Sequence, residues 1–147
     1  MRQQLILIFM ILFSSCAAPD EIKPYTEVSL YILSGQSNMY RMDETPFIER
    51  IKSEYPNDSL IFVKRAYGGQ SIIRWQESDL YDSMMNPVYE LTEGLIIDNT
   101  FLIWMQGERD AKVNNSHTYY YWLDNLYNKV SNDLNDPELK MVVGPRS

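Results

Sequence analysis

The chain has 147 residues, a formal net charge of −7 at neutral pH and an isoelectric point near 4.6. So acidic a chain lacks the basic surface with which proteins hold nucleic acid, and we expect no nucleic-acid partner. Its single cysteine excludes an internal disulfide, and one histidine without paired cysteines provides no cluster of metal ligands. We therefore expect one folded domain that uses no metal and no cofactor.

The first residues form an apolar leader. Residues 5–13 are an unbroken run of nine apolar side chains, which is too short for a bilayer-spanning helix of about 20 residues. Such a run is typical of a signal peptide, here residues 1–15. It ends at Cys16 in a pattern that resembles the lipobox of bacterial lipoproteins, although Phe13 stands where the lipobox usually has leucine. The alternative is an ordinary secretory signal in which Cys16 is only a small residue.

Lipidation of Cys16 would make this an exported lipoprotein held to a membrane, either in the periplasm or on the cell surface. Several acyl chains on one cysteine would anchor it firmly, whereas a single chain binds only marginally. Residues 16–27 contain two prolines and several charges and are interpreted as a tether. Residues 28–147 are then the folded domain.

From Val28 onward, short apolar runs alternate with longer amphipathic stretches. Continuous apolar strands that alternate with helices favour a parallel sheet covered on both faces. Thr45 and Pro46 resemble an N-cap and the first residue of a helix, and Pro87 is expected to bend or split a later helix. The predicted strands are residues 28–33, 60–63, 101–105 and 139–143, and the predicted helices follow Thr45, span residues 80–95 and follow Ser116 as N-cap.

Polar residues cluster where three of these strands end, at residues 35–38, 68–71 and 106–110. Ligands of parallel sheets bind beyond the carboxyl ends of the strands, so these clusters are expected to meet at one site. The set suits acyl transfer, with Ser37 as nucleophile and the Gly69 N–H and the Gln106 amide as donors to an oxyanion. The alternative for Ser37 is a structural role in a turn or as a helix cap.

Three motifs carry a family resemblance: GQSNM at residues 35–39, AYGGQSIIRW at 66–75 and WMQGERDA at 104–111, called here the first, second and third motif. In this order and spacing they resemble an SGNH-type esterase, closest to sialate O-acetylesterase-like proteins and carbohydrate esterase family six. The resemblance covers residues 30–146. It implies a three-layer α/β/α fold with a parallel, flavodoxin-like sheet, and removal of O-acetyl groups from sialate or another acetylated carbohydrate through an acyl-serine intermediate.

The resemblance also implies roles for single residues. Ser37 would be the nucleophile, with Gly69 and Gln106 completing the oxyanion site. A structural role for Glu108, pairing with Arg109 or capping, stays open beside a role in orienting a base or a bound hydroxyl. The residues expected to contact the substrate are Asn38, Arg74, Trp75 and Glu108.

One element of the family pattern is missing from these residues. SGNH esterases carry Asp-x-x-His near the C-terminus, with histidine as the base, but the single histidine here, His117, has Asn114 three positions before it. We therefore expect a truncated domain that lacks the last strand, the last helix and the base, and that is catalytically impaired. His117 as a substitute base and a non-catalytic glycan-binding lipoprotein are the alternatives.

Overall fold

The computed structural model describes residues 26–144. The predicted signal peptide, Cys16 and the tether as far as residue 25 lie outside these residues, as do residues 145–147. The lipoprotein interpretation therefore stays a prediction. Between residues 26 and 144, no helix combines the length and the apolar character that a membrane crossing requires.

The domain is built on a four-stranded, all-parallel sheet with the strand order β2-β1-β3-β4. This order matches the start of the flavodoxin-like arrangement, in which the second strand lies outside the first and later strands add on the other side. The strands are β1 (Glu27–Gly35), β2 (Leu60–Ala66), β3 (Ile96–Met105) and β4 (Lys140–Val143). The helices are α1 (Ser37–Arg41), α2 (Thr45–Glu54), α3 (Ser78–Thr92), α4 (Glu108–Lys112) and α5 (Ser116–Asp133), with a 3₁₀ helix at Ile72–Trp75.

Helices cover both faces of the sheet, which confirms the predicted three-layer α/β/α class. Side chains of a strand alternate between faces. Leu30 and Ile32 of β1 accordingly belong to a core formed with α3 and α5, whereas Tyr31 and Leu33 belong to a second cluster formed with α1 and α2. The central strand is therefore buried on both sides, as its continuous apolar sequence predicts.

Several details of the helices differ from the sequence-based expectation. The helix α3 runs through Pro87 without a break, because Met84, Met85 and Val88 around the proline are fully buried and their packing offsets its local cost. Leu91, although apolar and within the predicted helix of residues 80–95, is 53% exposed. The helices α2 and α5 take Glu44 and Asn115 as N-caps, one residue before the predicted Thr45 and Ser116, and the short α1, α4 and 3₁₀ helices were not predicted.

Gly35 is the last residue of the central strand β1, at the edge of the sheet where β1, β2 and β3 end. It lies in register with Ala66 of β2 and Met105 of β3. Its φ of +137° is one that residues with a side chain rarely adopt, and a Cβ at this position would lie 2.1 Å from the carbonyl oxygen of Met105. Only glycine allows the first and third motifs to come so close.

Candidate active site

The three motifs meet at one edge of the sheet, as the sequence predicts. The backbone N–H of Gln36 donates to the carbonyl of Met105 (2.9 Å), and the N–H of Tyr67 donates to the carbonyl of Gly35 (3.0 Å). These bonds continue the β1–β3 and β1–β2 ladders by one step beyond the strands. Ser37 and Gln106 therefore follow adjacent strand ends at the same edge of the sheet. The turn that contains Gly69 begins at that edge as well.

Ser37 is the first residue of α1 and is half-buried. The N-cap of this helix is Gln36, so Ser37 does not occupy the capping position that its structural interpretation requires. The first N–H groups of a helix have no partner within the helix, and they point out of its N-terminal end. The backbone around Ser37 thus offers donors at the sheet edge beside the serine hydroxyl.

Glu108 connects the third motif to the first. Gln36 and Asn38, the two neighbours of Ser37, each donate a side-chain amide hydrogen to a different oxygen of the Glu108 carboxylate. The carboxylate therefore holds the segment around Ser37 from both sides. This contact supports a positioning role for Glu108, while the predicted contact of Asn38 and Glu108 with substrate stays a prediction.

Asp110 connects the third motif to the second. It is 2% exposed, and one of its carboxylate oxygens accepts hydrogen bonds from the backbone N–H of Ile72 (3.0 Å) and from the side-chain amide of Gln106. In a helix, residues two apart point about 200° from each other. Glu108 and Asp110 of α4 can therefore reach the first and the second motif at the same time.

Gln106 is held by neighbours on three sides. Its side-chain amide nitrogen donates to Asp110 and to the backbone carbonyl of Gln70 (3.0 Å), and its backbone carbonyl accepts from the Tyr119 hydroxyl (2.7 Å). A carboxamide nitrogen has two hydrogens, and both are engaged here. The role of Gln106 as an oxyanion donor stays a prediction, and it would require Gln106 to release Gln70 or Asp110.

Gly69 lies in an exposed turn of the second motif with a φ of +71°. A Cβ added there would meet nothing within 4 Å, so the glycine serves the backbone conformation and leaves the space above it open. This position suits an approaching ligand, and the oxyanion role of the Gly69 N–H stays a prediction.

The expected sugar contact of Trp75 needs revision, whereas that of Arg74 stays a prediction. Trp75 is fully buried and packs edge-to-face against Trp104, with 5.1 Å between the ring centroids, so it has no surface to offer a sugar. Its apolar ring belongs to the core because the 3₁₀ helix turns it inward. Arg74 pairs with the carboxylates of Glu77 (3.1 Å) and Asp79, and its side chain stays partly exposed.

His117 is exposed in the first turn of α5. The buried Tyr119 lies two residues later on the same helix and fixes which face of α5 packs on the core. Because two residues differ by about 200° around a helix, His117 points away from that face. This orientation gives no support to His117 as the catalytic base.

The sequence reasoning missed Gln36 and Asp110, which are both 2% exposed. Each is a polar residue close in sequence to a predicted site residue. The burial of such a side chain is seen only in the structure. The spacing of Glu108 and Asp110 on a short helix was the one available signal.

Comparison with known proteins agrees with this architecture. A sequence model of the family described as carbohydrate esterase, sialic acid-specific acetylesterase, matches residues 43–145. An Arabidopsis thaliana protein of known X-ray structure is similar in fold, with a TM-score of 0.67 and 20% identity over 82% of this chain and 74% of that one. No curated protein gives a significant match.

The fold and the family match together define an α/β protein of an esterase family. More specifically, the chain belongs to the family of carbohydrate esterases known as sialic acid-specific acetylesterases, since the family match covers most of its length.

Proposed function

We propose that this domain removes O-acetyl groups from a carbohydrate, with Ser37 as the nucleophile. The Ser37 hydroxyl would attack the acetyl carbonyl, the sugar oxygen would leave with a proton, and water would then release acetate from the acyl-serine. Backbone N–H groups of Ser37 and Gly69 would stabilise the negative oxygen that forms on the carbonyl. The observation that carries the proposal is the pair of hydrogen bonds from Gln36 and Asn38 to Glu108. These bonds hold the two neighbours of Ser37 at the edge where the three motifs meet.

The proposal needs a base for the Ser37 proton. The 147 residues contain one histidine, and His117 is exposed on the outer face of α5. We therefore propose that these residues alone form an impaired enzyme, in which the remaining donors give only residual catalysis.

External imidazole can test both parts of the proposal. Aryl-acetate hydrolysis is measured with the wild type, with Ser37→Ala and with Ser53→Ala, an exposed serine of α2 that serves as the control. We expect slow turnover by the wild type and Ser53→Ala, acceleration by imidazole beyond its reaction in solution, and neither effect in Ser37→Ala. Equal rates in all three proteins, with and without imidazole, would refute a nucleophilic Ser37.

A glycan-binding protein without catalysis is the second candidate. It is favoured by Gln106, whose two amide hydrogens are both engaged by protein acceptors. Binding of an O-acetylated sugar that is equally strong in the wild type and Ser37→Ala, without hydrolysis in either, would support this candidate.

We also propose that the domain is exported and anchored through a lipid on Cys16, as the leader sequence suggests. Metabolic labelling with palmitate that is lost in Cys16→Ser would support this anchor, and unlabelled membrane-free protein would contradict it.

A further inference from the structure

The Tyr119 hydroxyl forms two hydrogen bonds with the third motif. It accepts from the indole N–H of Trp104 (3.1 Å) and donates to the backbone carbonyl of Gln106 (2.7 Å), and all three residues are buried. Such bonds are costly to break, because a buried donor or acceptor that loses its partner meets no water in its place. Tyr119 lies on α5, so a residue outside the three motifs holds one of them.

Trp104 gives the hydroxyl of Tyr119 a fixed anchor. Its ring packs edge-to-face against that of Trp75, and both rings are fully buried in the larger core. Closely packed rings of this size have few alternative positions. The indole N–H therefore keeps the Tyr119 hydroxyl in one place, and the hydroxyl keeps the Gln106 carbonyl in one place.

The Gln106 carbonyl lies where the chain leaves β3 and enters α4. Gly107, the N-cap of α4, has a φ of +145°, and glycine restricts the backbone less than any other residue. The helix itself is five residues long, which is too short to be stable alone. Tertiary contacts must therefore set the direction in which α4 leaves the sheet, and the bond from Tyr119 acts on the residue just before its N-cap.

Connections to both other motifs start from this part of the chain. The Gln106 side chain donates to the Gln70 carbonyl of the second motif (3.0 Å). Glu108, the first residue of α4, accepts hydrogen bonds from the two neighbours of Ser37 in the first motif. A shift of residues 106 and 107 would displace both connections together.

We infer that Tyr119 is a positioning residue of this site. Its hydroxyl holds Gln106, and thereby the start of α4, at the place from which Glu108 reaches the neighbours of Ser37. Its effect on hydrolysis rests on the proposed function, whereas its effect on the geometry of the three motifs does not.

Tyr119→Phe tests the inference because it removes the hydroxyl and keeps the ring. Tyr127→Phe is the matched control, since the Tyr127 hydroxyl also donates from α5 to a backbone carbonyl, that of Leu139 (3.1 Å), just before β4. The side-chain amide signals of Gln36 and Asn38 are compared by NMR in both variants. We expect these signals to shift in Tyr119→Phe, because their shared carboxylate acceptor moves, and to stay in place in Tyr127→Phe.

The kinetics of Ser37-dependent aryl-acetate hydrolysis provide the functional measurement. We expect kcat to fall about tenfold in Tyr119→Phe at an unchanged KM, because the alignment of the attacking group changes and substrate binding does not. Tyr127→Phe should keep both constants. An unchanged kcat in Tyr119→Phe, or equal losses in the two variants, would overturn the positioning role.

The NMR signals separate this inference from the enzymatic proposal. Unmoved signals in Tyr119→Phe, or equal shifts in both variants, would overturn the positioning role even if Ser37 hydrolyses aryl acetates. Shifts confined to Tyr119→Phe, in a protein whose wild type shows no Ser37-dependent hydrolysis, would support the positioning role and contradict the enzymatic proposal alone.

Discussion

Single side chains of α4 determine how the candidate site is assembled. The carboxylates of Glu108 and Asp110 accept hydrogen bonds from the first and the second motif, respectively. Neither carboxylate is a reacting group in the proposed mechanism. Their contribution is to fix the segments that carry Ser37 and Gly69 relative to each other, as preorganised sites require.

Replacing Glu108 tests this positioning role. In Glu108→Gln, one acceptor oxygen becomes a donor, so either Gln36 or Asn38 loses its partner in a partly buried setting. We expect a loss of about 1–3 kcal/mol in the free energy of unfolding, measured with urea, together with slower Ser37-dependent hydrolysis. Glu90→Gln, at an exposed position of α3, is the control. If both variants unfold like the wild type, the hydrogen bonds from Gln36 and Asn38 to Glu108 contribute nothing to stability.

At the level of single residues, the sequence predicted which motifs meet but not which way each side chain faces. Ser37 and Gln106 lie at the same edge because the ends of parallel strands coincide. Trp75 was misplaced because the 3₁₀ helix that turns it into the core is only four residues long and has no periodic pattern of its own. The partners of Gln106 come from residues up to 36 positions away, which no local pattern reveals.

At the level of elements, strands and long helices were predictable, whereas short pieces were not. The strand β1 is a continuous apolar run, and α5 repeats its buried positions at helical spacing. The helices α1 and α4 are five residues each, too short to be stable alone, and tertiary contacts such as those of Glu108 hold them. Pro87 does not split α3, because burial around it outweighs the lost hydrogen bond.

The pairing of β1 with β3 depends on a glycine. In Gly35→Ala, the new Cβ would meet the backbone of Met105 at 2.1 Å, and the positive φ would be strained as well. We expect a loss of more than about 3 kcal/mol in the free energy of unfolding, or no soluble protein.

Gly68→Ala is the matched control for this experiment, because a Cβ there meets nothing within 4 Å. It should change the free energy of unfolding by no more than about 0.5 kcal/mol. An equally mild effect of Gly35→Ala would mean that the strands can separate at this point without cost.

At the scale of the whole molecule, α3 and α5 are connected by hydrogen bonds from two tyrosines of α3 to Asp133 of α5. The hydroxyls of Tyr81 (2.6 Å) and Tyr89 (3.4 Å) donate to the same oxygen of Asp133. The ammonium group of Lys129 lies 3.5 Å from the centre of the Tyr81 ring. Burial, followed by the hydrogen bond to Asp133, raises the pKa of Tyr81 well above its usual value.

This pKa shift predicts how the stability of the whole domain depends on pH. The folded state keeps Tyr81 neutral, whereas the phenol of the unfolded chain ionises above pH 10, so the stabilising contribution is complete below that pH and is lost as the pH rises further. The wild type should lose about 1.4 kcal/mol of unfolding free energy per pH unit through this group above pH 10.

Urea unfolding of Tyr81→Phe between pH 7 and 11 checks the assignment. At pH 7 the variant should be less stable than the wild type by about 1 kcal/mol, because Asp133 loses a hydrogen bond. Above pH 10 its stability should decline less steeply, so that the two curves approach each other. Tyr120→Phe, at a position that is 74% exposed, should follow the wild-type curve throughout. Parallel curves for Tyr81→Phe and the wild type would show that ionisation of this phenol does not limit the stability of the domain in alkali.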